Sequence, residues 1–99
     1  MDLNPTKKEW QTLKEATAVF GEDVAIDKII EEMGELTVEL LHYRYNRNKV
    51  ERVLEESADV LVVLCQIIQM FGYGKVMPLA EIKLKRLRRR VDRKDKTAK

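Results

Sequence analysis

From Val60 to Phe71 only Gln66 and Gln69 interrupt a run of apolar side chains. Wound as a helix, this stretch is apolar almost all the way round. A helix of that kind holds together only when covered, inside a bundle or at a subunit interface. Its longest unbroken part, Val60 to Cys65, is far shorter than the ~20 residues needed to cross a bilayer, so no membrane partner is expected. Two acids stand at its N-terminal border. Glu56 shares a helix line with Val60, Val63 and Ile67, and Asp59 lies over Val63. A carboxylate placed against such a surface must take up a proton or a cation. The positive end of the helix accounts for Glu51 and Glu55 in the first turns. Asp59 lies too deep for that.

A second acidic stretch precedes it. Ile26, Ile29, Ile30, Met33, Leu36, Leu40 and Leu41 form a broad stripe of helical period, predicting a helix from Glu22 or Asp23 to about Arg47. Glu31, Glu32, Glu35 and Glu39 fall together on the neighbouring face, with Glu32 bordering the stripe near Leu36. Four or five acids converging from two helices repel one another unless a hard cation sits among them, and such cations take oxygen ligands. Glu31, Glu32, Glu35, Glu56 and Asp59 are therefore the candidate Mg²⁺ site. Glu39, Glu51 and Glu55 are expected on a solvated face. Gly34, in mid-helix, would let a ligand or another helix approach closely.

The remaining segments also read as helices. Thr6 and Glu9 have capping-box spacing before Trp10, Leu13, Thr17 and Phe20, and Gly21 closes that helix. Trp10 and Phe20 are expected to pack rather than to meet a nucleobase. Asn48, with Glu51 three residues on, is the expected cap of the third helix, from about Lys49 to Phe71. Gly72-Tyr73-Gly74 reads as a turn, with a last helix opening near Pro78 and a frayed basic tail over 91–99. His42, the one histidine, is expected at the surface or in packing. The chain thus reads as one all-α domain over residues 1–99, an antiparallel four-helix bundle completed by oligomerisation.

Composition narrows the setting. Cys65 is the single cysteine, so no disulfide framework within the chain is possible, and a cytoplasmic location is expected. The start, Met1 to Pro5, has neither the basic nor the apolar region of a signal peptide. Charge is segregated: the balance is −6 from Glu22 to Asp59 and +8 from Lys75 to Lys99. An acidic centre with a basic end suits a metal site beside a phosphate-binding surface, and equally a nucleic-acid-binding tail.

Glu31-Glu32-x-x-Glu35, then 20 residues, then Glu56-x-x-Asp59 inside an apolar helix, followed by a Gly turn and a basic helix, resembles the MazG-like nucleotide pyrophosphohydrolases of the all-α NTP pyrophosphatase superfamily. The likeness spans roughly Ala25 to Val91. It implies Mg²⁺-dependent hydrolysis of nucleoside triphosphates, NTP or dNTP, to monophosphate and pyrophosphate. It also implies a house-cleaning role in the nucleotide pool, Mn²⁺ as a possible substitute, and a homodimer or homotetramer whose sites draw on more than one subunit. Carried over, Glu32, Glu35, Glu56 and Asp59 are metal ligands. Glu31 and Glu35 are catalytic, with Glu31 ligating a second ion or orienting the attacking water. Lys83, Lys85, Arg88 and Arg89 bind phosphate. Where the family has an Asn, this chain has Lys83, which leaves the register of the phosphate contacts open by a helical turn.

Other substrates within the same chemistry are phosphoribosyl-ATP and dUTP or dCTP. A different class, a non-enzymatic helical module binding nucleic acid through Lys83–Arg90, would leave the acids of 31–59 unexplained; nucleic acid is therefore not the expected partner.

Overall fold

The computed structural model describes residues 4–47 and 49–98, with side chains through residue 95. It holds four helices, α1 (Lys7–Phe20), α2 (Glu22–Asn46), α3 (Val50–Phe71) and α4 (Tyr73–Ala98), and no strand among the described residues. No single helix there is long and apolar enough to cross a membrane.

The ends of α1 follow the local chemistry of the sequence. The Thr6 N–H donates to Glu9 Oε1 at 2.8 Å and the Glu9 N–H donates to Thr6 Oγ1 at 3.1 Å, a complete capping box. Gly21, at φ 95°, closes α1 with its N–H on the Thr17 carbonyl and lets α2 start one residue later. α2 ends on Arg47 in the left-handed region, its N–H bonded to the Tyr43 carbonyl. The cap expected at Asn48 lies outside the described residues. α3 begins at Val50, and Lys49 before it supplies no side-chain cap.

The start of α4 differs from expectation. Gly72 alone turns the chain, at φ 117°, and its carbonyl accepts the N–H groups of Lys75 and Val76 at 3.0 and 3.1 Å. The helix therefore restarts at Tyr73, takes in Gly74, and carries Pro78 inside it rather than at its first turn. Pro78 has no N–H to offer the Gly74 carbonyl, so that turn is held by its neighbours. The axes of α3 and α4 differ by 116°. α4 also stays helical to Ala98, through the stretch expected to fray, with Arg88 Nη2 on Asp92 Oδ1 at 2.7 Å across one turn.

α2 and α3 pack together most extensively, α1 covers both, and the α4 backbone packs against α3 alone. The inward residues of α2 are Ala25, Ile29, Glu32, Leu36 and Glu39; those of α3 are Val53, Glu56, Val60, Val63, Ile67 and Met70. Both sets run at alternating three- and four-residue steps, the spacing that keeps one helix seam against another. Cys65 and Ile68 form a second buried line on α3. Beside it, Gln66 Nε2 donates to Thr17 Oγ1 at 2.9 Å and ties α3 to α1. Trp10 meets Tyr73 edge-on, centroids 5.5 Å apart, so this aromatic is used in packing. Phe20 stays exposed.

The burial required by the apolar run of α3 is only partly met. Val63, Cys65 and Ile68 are buried, while Leu61, Val62, Leu64 and Phe71 face outward, Val62 at 60% exposure.

Candidate metal centre

The seam spacing explains the site. Glu32 occupies a position of α2 where the Ala25–Ile29 line calls for an apolar residue, and Glu56 does the same on α3 between Val53 and Val60. Packing the two helices thus drives both carboxylates inward, and Glu32 is only 5% exposed. Glu35, one residue before the seam position Leu36, lies at the exposed rim. One carboxylate oxygen from each of Glu32, Glu35 and Glu56 falls within 4.8 Å of the other two.

Hydrogen bonding leaves this cluster incomplete. Glu32 Oε1 takes the Lys28 ammonium at 2.9 Å, but Glu32 Oε2 and Glu56 Oε2 are buried with no partner. A buried, unsatisfied polar atom costs about 1–3 kcal/mol, and more when charged. Two such oxygens from different helices, together with a third carboxylate, make a donor set fitted to a hard cation.

The charges register one another. The Glu35 carboxyl is held above its ordinary value, chiefly by the charge of Glu32, then by desolvation and by Glu56. The Lys28 ammonium is also held above its ordinary value, chiefly by its hydrogen bond to Glu32 and next by the charge of Glu31.

The other predicted residues lie elsewhere. Glu31 is exposed and turns toward Lys28, 3.9 Å away. Asp59 is exposed, one residue before the seam position Val60, and does not join the three-carboxylate group. Lys83, Lys85, Arg88 and Arg89 are exposed on α4, whose backbone, among the described residues, meets α3 but not α2. His42 sits at the surface with Nδ1 3.8 Å from Glu39. Beyond Gly34's own turn of helix, nothing among the described residues comes within 4 Å of where a side chain on Gly34 would begin, so no other described element makes the close approach expected there.

Three residues escaped the sequence reading. Glu39, expected on a solvated face, has a side chain only 15% exposed, because it continues the α2 seam. Arg52, one turn before Glu56, places Nη2 3.5 Å from Glu39 Oε1. Lys28 partners Glu32 from one turn earlier on α2. The three–four spacing through Glu32, Leu36 and Glu39 was the signal available for Glu39; nothing local marks Arg52, whose partner lies on another helix.

No protein-family model matches the chain, and neither a curated protein nor a solved structure matches it.

Proposed function

We propose that this protein is a Mg²⁺-dependent pyrophosphohydrolase of nucleoside triphosphates, NTP or dNTP, releasing a nucleoside monophosphate and pyrophosphate. The observation that carries this reading is the pair of buried carboxylate oxygens, Glu32 Oε2 and Glu56 Oε2, unpartnered beside Glu35. The motif likeness between Glu31 and Asp59 supplies the reaction. Glu32, Glu35 and Glu56 would hold the ion, and Asp59 would join them only after its side chain turns inward. An ion held there would supply neutralisation of charge on the phosphate oxygens. Glu35, at the open rim, accepts the proton of the attacking water. That water adds to the α-phosphorus, and the bond from the α-phosphorus to the bridging oxygen breaks as pyrophosphate leaves.

The antiparallel bundle is complete, in this reading, only as a homodimer or homotetramer. A second copy would cover Leu61, Val62, Leu64 and Phe71 of α3. It would also bring the basic face of α4, with Lys83, Lys85, Arg88 and Arg89, toward a partner's acidic α2. A non-enzymatic alternative rests on that same exposed basic helix, which would bind nucleic acid with steep salt dependence and no turnover.

The test is incubation with each NTP and dNTP, and with phosphoribosyl-ATP, plus Mg²⁺ or Mn²⁺, following pyrophosphate release. Turnover is expected for the wild type and should be lost in Glu35→Gln and Glu56→Gln variants that retain wild-type circular dichroism. Asp59→Asn tests whether Asp59 enters the site. No pyrophosphate from any substrate, or full turnover by Glu56→Gln, defeats the proposal.

A further inference from the structure

The polar seam continues beyond the three carboxylates. One turn further along α2 stands Glu39, and one turn back along α3 stands Arg52. Together with Glu35, Val38 and Glu56 they line a single cavity of about 350 Å³. Arg52 carries the only positive charge among those five lining residues. Among the described residues its ion pair is to Glu39, and that contact is long at 3.5 Å, against about 2.7–2.9 Å for a well-formed charge-assisted contact. Glu39 is itself divided, with His42 Nδ1 3.8 Å away. The guanidinium is therefore lightly held, 62% exposed, and beside the candidate metal ligands. A planar guanidinium matches two phosphate oxygens at once, which a carboxylate pair held at this distance does not exploit.

We propose that Arg52 is a phosphate anchor of this site: Glu39 parks its guanidinium at the end of the acidic seam, and Arg52 turns from Glu39 to the pyrophosphate end of a polyphosphate held at Glu32, Glu35 and Glu56. The proposal rests on the metal-site reading above. It adds a cation from within the same chain to a site whose other candidate phosphate ligands all lie on α4. It also gives the Glu39 carboxylate a role: competing for Arg52, it disfavours the turned-out position until a polyanion outbids it.

Calorimetric titration separates the two readings, using Mg²⁺ alone and then inorganic pyrophosphate in the presence of Mg²⁺. The proteins are the wild type, Arg52→Ala, Arg52→Lys and Glu39→Gln, each with its melting temperature recorded. Mg²⁺ uptake should be the same in wild type and Arg52→Ala. Pyrophosphate affinity should fall by about ten-fold or more in Arg52→Ala, the loss of one contact to a charged group. Arg52→Lys should fall between, keeping charge without the fork, and Glu39→Gln should bind pyrophosphate at least as tightly as wild type. If the wild type takes up no Mg²⁺, the metal site falls and the anchor with it. If it takes up Mg²⁺ but no pyrophosphate, or if Arg52→Ala and Arg52→Lys bind pyrophosphate as the wild type does, the anchor alone is overturned. Weakening of Mg²⁺ and pyrophosphate binding in equal measure in both Arg52 variants also overturns it, since that is what a merely structural residue would do.

Discussion

Glu35 and Glu56 hold the site's two kinds of carboxylate, one at the rim and one in the seam, and substitution reads out differently at each. The Glu35 carboxyl is raised in the folded chain, first by Glu32. A raised carboxyl binds its proton more tightly folded than unfolded. Its contribution to stability is complete below the ordinary carboxylate value of 4.5 and is lost as pH climbs through the folded value. Glu35→Gln is therefore expected to melt with the wild type at low pH and above it near neutrality, in chelator. A gap that does not change with pH would contradict this. Glu56 is different, because its orphaned oxygen is buried in the seam between α2 and α3. Glu56→Leu should stabilise the metal-free protein by on the order of 1–3 kcal/mol, the cost of leaving such an atom unsatisfied. The same change should abolish the rise in melting temperature that Mg²⁺ gives the wild type by binding the folded state. A wild type whose melting temperature ignores millimolar Mg²⁺ would remove the basis for both expectations.

At the scale of elements, the helix boundaries divide by how local their causes are. The Thr6–Glu9 capping box and the Gly21 stop are legible because every partner lies within four residues. The start of α4 was misplaced because Pro78 carries a strong first-turn preference, whereas the deciding feature is the Gly72 carbonyl capturing two N–H groups across the bend. That bend depends on a backbone conformation that side chains resist. At φ 117° a β-carbon is strained whatever the space, although one at Gly72 would meet Lys75 Cδ at only an ordinary contact distance of 3.4 Å. Gly72→Ala should therefore cost about 1–3 kcal/mol in urea unfolding. It should also alter the α3–α4 angle, seen as weaker quenching or shifted emission of Trp10, which packs on Tyr73 at the start of α4. An alanine variant as stable as the wild type would mean that the bend does not need glycine.

The whole molecule is open. Its radius of gyration is 16.7 Å, against about 13 Å for a compact domain of this length. It exposes 8036 Å², roughly 2,200 Å² more than the ~5,800 Å² typical of a folded monomer of 11.6 kDa. Two copies covering that excess would bury an area within the ~2,000–5,000 Å² of obligate interfaces. Sedimentation should accordingly give a dimer or tetramer mass, and Val62→Glu should dissociate it and lower its melting temperature. A single 11.6 kDa species at every concentration would refute this. What the sequence determined alone was periodic and local: four helices, their apolar stripes, the cap of α1, and acids at Glu32 and Glu56 on the lines that face inward. Only the tertiary structure decided which acids meet. Glu32, Glu35 and Glu56 converge while Glu31 and Asp59, their neighbours in the motif, face outward, and Arg52 finds Glu39 across the seam. The physical reason is that a helix assigns each side chain a direction from its own spacing, but the rotation of one helix against another, set by packing the whole seam, settles which of those directions coincide.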